Sequence, residues 1–544
     1  MAEPAGIPGA EGIPADLLAA FEEYETAILT DDVAALDAAF APGPDTLRGD
    51  GAGLLVGHDA ISAFRGTRGG VKPRVIERIE HRALGTDAAL LVSVSRYAGG
   101  GTGLQTQLWQ RMDDGAWRIT AAHVTPRAQA LDTSVWRTAG SPLWQGAWEG
   151  PLAGLSVAVK DLFAIKGYRI GAGNPTFLDG ARAEPTTAPA VSDLLRGGAS
   201  LRGIARTDEF AYSIAGDNVH YGTPPNGALP GALPGGSSSG PATAVATGQA
   251  DIGLATDTAG SIRVPASYQG LWGLRTSHGL VPRQGLLPLA QSFDTVGWLT
   301  RDGETLQRVA DWCLSYDGSE STESVFGESG SDLPWRFAVP EEALASVEPA
   351  TLAAFDRLLE GLAADQDDPP IVERVSIGDL DEHLRAFRTV QGAEAWRNNG
   401  TWIAEHPGAV GAAVAERFRA ASAVTAEDEA SARRDLERLR ETVRGAVAGA
   451  VLILPTVPGP APVRTNTGAR VDAVRTATLR LTTPAAIGGL PAVSAPLLRV
   501  ASTLGPAPVG VCLISREGTD IALVRLARRL ATAVSSAFPG GSDR

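Results

Sequence analysis

The stretch that decides the fold is "PGGSSSGPATAVATGQADIGLATDTAGSIRVPAS", residues 234–267. A serine- and glycine-rich loop leads into "PATAVATG", a run of small residues that predicts a helix with Pro241 in its first turn. The apolar run "ADIGLATD" then predicts a strand that ends at "TDTAGS". Glycines in both loops let backbone N–H groups turn toward a bound oxygen. A serine nucleophile needs a base, and because the stretch holds no histidine, that base must lie elsewhere in the chain.

Two other interpretations of the serine loop are weaker. Residues 236–240 match the G-x-S-x-G pattern of a nucleophile elbow, but an elbow directly follows a strand. The preceding "NGALPGALPG" has too many turn residues to be one. A flexible Gly/Ser linker is disfavoured because both flanks of the loop predict ordered elements.

Short apolar runs alternate with helical segments over the rest of the C-terminal part of the chain. The runs are "LSVAVKDLF", "SLRGIAR", "AVLILPTVP" and "PVGVCLIS". Such alternation predicts an α/β domain with helices on both faces of a mainly parallel or mixed sheet. Residues 341–450 are the helical exception, and "TAEDEASARRDLERLRETVRGAVAGA" at 425–450 is the clearest amphipathic helix.

The N-terminal part has a different pattern. We expect a flexible tail at 1–14, two helices after it, and strands of period near two from about residue 74 to 125, which together predict a small α+β domain at 15–128. The segments "YETAILTDDVAALDAAF", "GHDAISAFR" and "WRITAAHVT" resemble the SnoaL-like cone and, more narrowly, AtzH-like modules. His123 on the last strand is interpreted as a core or pocket residue. Residues 129–150 show no sustained period and predict a linker.

Composition excludes several classes of function. A formal charge of −15 argues against a nucleic-acid surface, which needs clustered Lys and Arg. The start of the chain is not a secretory signal, and no apolar run is long enough to span a membrane, so a cytoplasmic location is expected. The two cysteines, Cys313 and Cys512, are interpreted as buried thiols. The seven histidines show no metal-ligand spacing, and no metal or cofactor is expected.

From about residue 150 to 535 the chain resembles the amidase signature family. The matching segments, in the family's order, are "VAVKDLFAIKG" (157–167), "TDEFAYSIAGDNVHYGTPPN" (207–226), "GGSSSG" (235–240), "ATDTAGSIRVPAS" (255–267), "SFDTVGWLTR" (292–301) and "LTTPAAIGGLPAVSAP" (481–496). The resemblance implies an α/β/α sandwich with a central mixed sheet at 151–540, preceded here by the small α+β cone. In "TDEFA", the resemblance makes Asp208 and Glu209 structural rather than an acid–base pair.

The resemblance also implies a site. Ser261 would be the acylated nucleophile, Ser237, on a cis peptide, would relay the proton, and Lys160 would be the final base. The other implied residues support these three: oxyanion donors at Thr258, Ala259, Gly260 and the N–H of Ser261, and supports at Ser238, Asp257 and Arg263. Ser239 and Pro241 depart from the residues common in the family, but both positions lie off the implied proton path.

Lys160 faces a physical demand in that role. A lysine with a pKa of about 10.4 is charged at pH 7, and presenting it neutral would cost about 4–5 kcal/mol. Burial supplies shifts of that size. Because Lys160 ends the apolar run "LSVAV", we expect its side chain to project from a core strand into a dry site.

The implied activity is hydrolysis of an amide or urea-like C–N bond in a small-molecule substrate. A glutaminase subunit of a tRNA-dependent amidotransferase, a carbamate or ester hydrolase, and a non-catalytic scaffold are the alternatives. The family commonly carries a longer helical segment before the lysine strand, so we expect the N-terminal domain to replace that segment as a docking or dimerisation surface. A homodimer without nucleic-acid or membrane partners is the expected assembly.

Overall fold

The computed structural model describes residues 7–50, 53–68, 74–97, 102–125, 131–315, 332–364, 368–465 and 469–537. The chain divides into two compact units, Met1–Ala130 and Leu131–Arg544, which are called the N-terminal and C-terminal units below. Within the described ranges, no helix combines the length and the apolar character needed to cross a bilayer.

The N-terminal unit is an α+β domain, as predicted. Its described elements are α1 (Ala15–Thr30), α2 (Val33–Ala38), β1 (Leu47–Asp50), β2 (Gly53–Val56), α3 (His58–Arg68), β3 (Arg74–Ala83), β4 (Ala88–Tyr97), β5 (Thr102–Arg111) and β6 (Trp117–Thr125). The strands form one sheet in the order β2-β1-β6-β5-β4-β3. All neighbours are antiparallel except β1 and β6. Phe21 on α1 and Trp109 on β5 belong to its buried core.

Two features of this unit differ from the sequence analysis. Of the expected flexible tail, residues 1–6 lie outside the described residues, whereas Pro8 O accepts a hydrogen bond from Ile79 N at 3.0 Å and holds the chain against β3. His123 lies on β6 but is exposed, so its interpretation as a core or pocket residue is wrong. Both differences come from the phase and pairing of β-strands, which the residues of one strand do not reveal.

The C-terminal unit is built on an 11-stranded mixed sheet with the order β14-β13-β15-β17-β16-β11-β12-β10-β8-β9-β7. The strands are β7 (Trp136–Trp144), β8 (Ser156–Lys160), β9 (Ser200–Ala205), β10 (Ile252–Asp257), β11 (Trp272–Arg275), β12 (Thr295–Thr300), β13 (Arg336–Pro340), β14 (Ile371–Val375), β15 (Val451–Pro455), β16 (Ala492–Ser502) and β17 (Gly505–Ile514). The α/β class with a central mixed sheet is therefore confirmed.

The described helices of this unit include the predicted ones. They are α4 (Pro175–Gly180), α5 (Pro189–Arg196), α6 (Ser239–Ala246), α7 (Arg263–Gln269), α8 (Gly303–Ser315), α9 (Glu341–Leu344), α10 (Pro349–Ala363), α11 (Leu380–Glu405), α12 (Ala412–Ser422), α13 (Ala426–Ala446), α14 (Ala469–Gly488) and α15 (Asp520–Ala537). The amphipathic segment forms α13, which starts with a capping box: Asp428 N–H donates to Thr425 Oγ1, and Thr425 N–H donates to Asp428 Oδ2.

One strand lies where the sequence predicted only a linker. β7 pairs with β9 in the antiparallel direction at the edge of the sheet, with irregular register. It contains Gly140 and Pro142, and an edge strand tolerates proline because one side of its backbone has no partner. These residues mask the period of a strand in the sequence, so the pairing becomes visible only in the folded sheet.

The strands that position the site are β10, β8 and β9, which are neighbours and run parallel. Every residue of β10 is buried, and β12 covers its other edge in the antiparallel direction. The carboxyl ends of parallel strands meet at one edge of a sheet, which is where open α/β sheets bind ligands. Here that edge brings Lys160, Asp208 and Asp257 into one region.

Candidate active site

Lys160 is the last residue of β8, and its side chain is fully buried. Its Nζ donates to Ser237 Oγ at 2.8 Å, Ser238 Oγ at 3.0 Å and Thr256 Oγ1 at 2.8 Å. The three hydroxyls satisfy the three donor positions of an ammonium group without placing a carboxylate in contact with it. The predicted base, Lys160, therefore forms a direct hydrogen bond with the predicted relay serine, Ser237.

Burial lowers the pKa of Lys160 to about 7, although the charges of Asp208, Asp257 and Asp294 work against the shift. Removing an ammonium group from water penalises its charged form, and neutral hydroxyl partners do not restore the lost solvation. A lysine of this pKa exchanges its proton near neutral pH, as a general base must.

Ser237 and Ser238 lie immediately before α6, with Ser238 as its N-cap, and the Gly236–Ser237 peptide bond is cis. Ser237 O accepts hydrogen bonds from Asp208 N at 3.1 Å and from Thr207 Oγ1 at 2.9 Å. Ser238 Oγ donates to Thr256 O at 3.2 Å. The loop after β9 thus fixes the backbone of one serine, and the end of β10 fixes the side chain of the other.

Asp208 is a residue of this site whose contacts the sequence did not reveal. Its carboxylate accepts from Gly216 N–H at 2.9 Å and from Ser239 Oγ at 2.9 Å. It packs so closely on Gly236 that a Cβ atom there would collide with it. Burial and the charge of Asp217 raise the pKa of Asp208 to about 6, whereas its two hydrogen bonds and Lys160 lower it. The neighbouring Glu209 instead binds Asn174, His220 and the backbone at Gly411.

Ser261 lies in the loop between β10 and α7 and is only 3% exposed. Its carbonyl oxygen accepts from Ser238 N–H at 3.3 Å, so the two serine loops are joined through their backbones. Its hydroxyl makes no hydrogen bond within the described part of the chain, to Ser237 or to any other residue. It lines a cavity of about 480 Å³.

Asp257 holds the loop that carries Ser261. Its carboxylate accepts from Arg263 Nε at 3.0 Å and Nη2 at 2.9 Å, and from Arg275 Nη1 at 3.2 Å. Although burial acts in the opposite direction, the charges of Arg263 and Arg275 hold the pKa of Asp257 well below its usual range. Arg263 also donates to Thr482 O at 3.0 Å. All three ionised side chains are fully buried, so this ion network is screened little by solvent.

The backbone amides around Ser261 do not all point the same way. Gly260 N–H donates to Asp257 Oδ1 at 2.8 Å, which differs from its expected role as an oxyanion donor. The N–H groups of Thr258, Ala259 and Ser261 have no acceptor among the described residues. Thr258 is held through its side chain, because Oγ1 donates to Asp294 Oδ1 at 2.6 Å. Three of the four expected donors therefore remain open.

Two supporting residues were missed by the sequence analysis. Thr256 Oγ1 accepts from Lys160, and Arg275 Nη1 donates to Asp257 O at 2.6 Å. The signals were a polar residue inside an otherwise apolar strand and an arginine at the end of the buried strand "WGLR". Both patterns mark buried polar groups that need partners, but neither identifies the partner.

A cavity of about 480 Å³ opens onto Ser261, Thr258 and Ala259. Its size suits a small organic molecule, because ligand pockets commonly span about 300–1,000 Å³. The opposite wall comes from α11, α12 and α14, through residues that include Gln391, Arg417 and Thr476. Among the described residues there is no cluster of three or more potential metal ligands, and Cys313 and Cys512 are free thiols.

Two family models match the chain. The model described as Amidase matches residues 120–524, and the one described as AtzH-like matches residues 10–129. Amidase 1 of Arabidopsis thaliana is 36% identical over 403 residues, covering 70% of this chain and 93% of that protein. A solved structure described as a crystal structure of amidase has 32% identity and a TM-score of 0.62, and the match covers 71% of this chain and 85% of that one.

Other relatives carry names with different activities. A glutamyl-tRNA(Gln) amidotransferase subunit of Symbiobacterium thermophilum is 32% identical, covering 52% of this chain and 57% of that protein. The AtzE subunit of 1-carboxybiuret hydrolase from Pseudomonas sp. is 34% identical, covering 44% of this chain and 50% of that protein. Both matches are shorter than the match to Amidase 1.

The comparisons contradict the cytoplasmic location expected from the sequence. Outer envelope protein 64, chloroplastic, of Arabidopsis thaliana is 43% identical over 159 residues, covering 29% of this chain and 27% of that protein. Translocon at the outer membrane of chloroplasts 64 of Pisum sativum is 40% identical over 159 residues, with the same coverage. The names of these relatives place them at an organellar membrane, so the expectation of a cytoplasmic location is wrong. It rested on the lack of a recognised leader or span, and such a lack does not fix a location.

Proposed function

The chain belongs to the amidase family, whose members hydrolyse amide C–N bonds, and on this premise we propose that it does so through an acyl-enzyme on Ser261. In this proposal Ser237 relays the proton and Lys160 is the base. The observation that carries the proposal is the fully buried 2.8 Å hydrogen bond between Lys160 Nζ and Ser237 Oγ, close to a cavity that Ser261 lines.

The first half-reaction is proton transfer with attack on the amide. Neutral Lys160 takes the Ser237 proton, Ser237 takes the Ser261 proton, and Ser261 Oγ bonds to the substrate carbonyl carbon. Because the pKa of Lys160 is about 7, a substantial fraction of these side chains is neutral near neutral pH. Ser261 and Ser237 lack a direct hydrogen bond without substrate, and such contacts often tighten only in the substrate complex.

The negative charge that develops on the carbonyl oxygen needs donors. We assign the open N–H groups of Thr258, Ala259 and Ser261 to this role, and leave out Gly260 because its N–H is already bonded to Asp257. Each such donor commonly contributes about 10²–10³ in rate. Asp257, Arg263 and Ser238 act as positioning residues, since they hold the backbones of the two serine loops.

Collapse of the tetrahedral intermediate breaks the C–N bond. The proton held by Lys160 returns through Ser237 to the leaving nitrogen, which departs as ammonia or an amine. Water then attacks the ester on Ser261, giving up its proton along the same path, and the acid product leaves with Ser261 restored. The proposal thus requires no cofactor, and its substrate is a small molecule.

The test traps the intermediate. A panel of linear amides, ureido acids and carbamates is scored by ammonia or amine release, and active substrates are rerun with hydroxylamine. An acyl-enzyme gives the hydroxamate, and Ser261→Ala should abolish both products while changing the melting temperature little. Ser536→Ala, an exposed serine on α15, is the control and should keep full activity. Turnover retained by Ser261→Ala would refute the proposal.

The same panel decides among the alternatives. Turnover of glutamine alone, with a copurifying partner chain, would favour the glutaminase subunit that one relative's name suggests. Faster release from carbamates or esters would favour those hydrolases. We propose an amidase that acts without a partner chain, because the relative named Amidase 1 is 36% identical over 93% of its length, whereas the amidotransferase subunit of Symbiobacterium thermophilum is matched over 57% of its length.

We also propose that the N-terminal unit is a dimerisation surface. Leu47 and Val56 face each other in register across β1 and β2, and Leu54 lies on the same face two residues from Val56. Leu54 is 64% and Val56 57% exposed. Exposed apolar side chains grouped on a sheet face commonly mark an interface, and a second copy of the chain would cover them.

A further inference from the structure

The cavity beside Ser261 carries an unusual charge. Its four charged lining residues are Arg388, Arg417, Arg475 and Asp472. The three arginines, called the arginine cluster below, come from three different helices, α11, α12 and α14. Because they come from separate helices, only the folded unit brings them together, and no sequence motif predicts this arrangement.

The only acidic residue in the cavity lining is Asp472, whose charge acts on Arg475 without forming a close ion pair with it in the described part of the chain. None of the three side chains forms an ion pair within 4.0 Å in the described part of the chain. Neighbours on the same helices are paired, with Arg419 bound to Glu416 and Arg480 to Asp381. Among the described residues, the arginines that line the cavity are therefore without a close carboxylate, while nearby arginines on the same helices have one.

Among the described residues, few polar contacts involve the guanidinium groups of the arginine cluster. Arg417 Nη1 donates to Tyr212 O at 2.8 Å, and the buried Nε of Arg475 has no acceptor among the described residues. Burial, together with the charges of Arg417 and Arg388, lowers the pKa of Arg475 to about 9. Burial raises the pKa of Tyr212, which these three arginines oppose, so the Tyr212 hydroxyl lies within their field.

Three like charges with a single carboxylate among them form an unfavourable arrangement unless an anion joins them. Guanidinium groups match the planar carboxylate group with paired N–H donors. The same cavity is lined by Ser261, by Thr258 and Ala259 with their open amides, and by the arginine cluster. A molecule that spans both would place its amide at Ser261 and its anionic group at the arginines.

We propose that the arginine cluster binds a carboxylate of the substrate, so that the preferred substrates are small amides carrying a second, ionised carboxyl group. Half-amides of dicarboxylic acids and ureido acids have this form. The inference rests on the proposed function, because the cavity that holds the cluster is the one that exposes Ser261. It adds the substrate class to that function.

The kinetic test compares two amides of nearly equal shape. Succinamate carries a carboxylate, and 4-oxopentanamide replaces one carboxylate oxygen by a methyl group. We expect the wild type to favour succinamate in kcat/KM, and we expect Arg475→Gln to lower the ratio of the two values by about 10- to 100-fold. Arg434→Gln, an exposed arginine of α13 outside the cavity, is the matched control and should keep the wild-type ratio.

A binding test separates failure of this inference from failure of the proposed function. Ser261→Ala is titrated with both amides and with inorganic phosphate by calorimetry. Tighter binding of succinamate, weakened in Ser261→Ala/Arg417→Gln, supports the inference. Equal binding of the two amides overturns it, and so does phosphate that competes as well as succinamate, because the cluster is then a general anion site. Failure of the proposed function appears separately, as turnover of either amide by Ser261→Ala.

Discussion

Lys160 Nζ lies 2.8 Å from Ser237 Oγ, and both side chains are completely shielded from solvent. The contact joins the end of β8 to the start of α6 across 77 residues of sequence. A charged lysine is unfavourable at such a position, so the same burial that prepares it as a base also lowers the stability of the protein at low pH.

Lys160→Met tests both effects of this burial. Below about pH 7 the lysine is protonated in the folded and the unfolded chain, and the cost of burying its charge is fully present. Between about pH 7 and about 10.4 the unfolded chain binds the extra proton, so the stability of the wild type rises with pH. We expect the variant to lose turnover and to melt above the wild type at pH 6, with a gap that shrinks toward pH 10.

The size of that change follows from the shift in pKa. The fall of the Lys160 pKa from about 10.4 in the unfolded chain to about 7 in the folded one corresponds to about 4–5 kcal/mol between the two ends of the window. The melting temperatures of both proteins at pH 6, 8 and 10 measure it. A gap in melting temperature that stays constant across this range would show that folding does not lower the pKa of Lys160.

Asp208→Asn isolates one charge that acts on Lys160. Asp208 raises the pKa of the lysine, so removing its charge should lower that pKa further and move the acid limb of kcat/KM to lower pH. The amide still offers one oxygen to the Gly216 N–H or the Ser239 hydroxyl. Profiles from pH 5 to 9 measure the shift. Asp179→Asn, an exposed aspartate on α4, should leave the profile in place, and a shift to higher pH in Asp208→Asn would contradict this account.

Asp257→Ala tests the ion network behind the nucleophile. The change leaves Arg263 and Arg275 buried without their carboxylate, which commonly costs about 3–5 kcal/mol. Chemical denaturation measures the loss in free energy of unfolding. The control is Glu373→Ala, which breaks a solvent-exposed pair with Arg336 and should change the free energy of unfolding little. Equal losses in the two variants would show that the network adds nothing to the fold.

The oligomeric state tests the proposed dimerisation surface. The double variant Leu54→Lys/Val56→Lys places two charges on the exposed face of β2 and should convert a dimer to a monomer in light scattering. Leu29→Lys changes an exposed leucine of α1 and should leave the assembly unchanged. A wild type that is already monomeric at micromolar concentration would refute the proposal.

The sequence predicted the parts of the fold and the site that local patterns encode. The helix after the serine loop, the buried strand "ADIGLATD" and the α/β class are examples, because each follows from the period of apolar residues over one segment. The pairing of Lys160 with the serines came from a resemblance, since no local pattern joins positions that far apart.

The rest depends on side-chain directions and long-range pairing. The contact of Arg275 with Asp257 and the use of the Gly260 N–H by that carboxylate are set by how β10, β11 and the loop before α7 meet. β7 was hidden because an edge strand with proline has no clear period. The exposed side of His123 depends on the phase of β6, which alternation alone does not fix.

The network around Asp257 makes the position of the nucleophile loop independent of the side chains that line the cavity wall. Its hydrogen bonds tie the nucleophile loop to β11 and, through Thr482, to the buried C-terminal part of α14. The arginines of the cavity wall stand on other turns of α11, α12 and α14. The bond-breaking parts are therefore locked to the sheet, while the wall can exchange its side chains without moving them. Replacing wall residues is consequently the route by which this scaffold would acquire new substrates at unchanged chemistry.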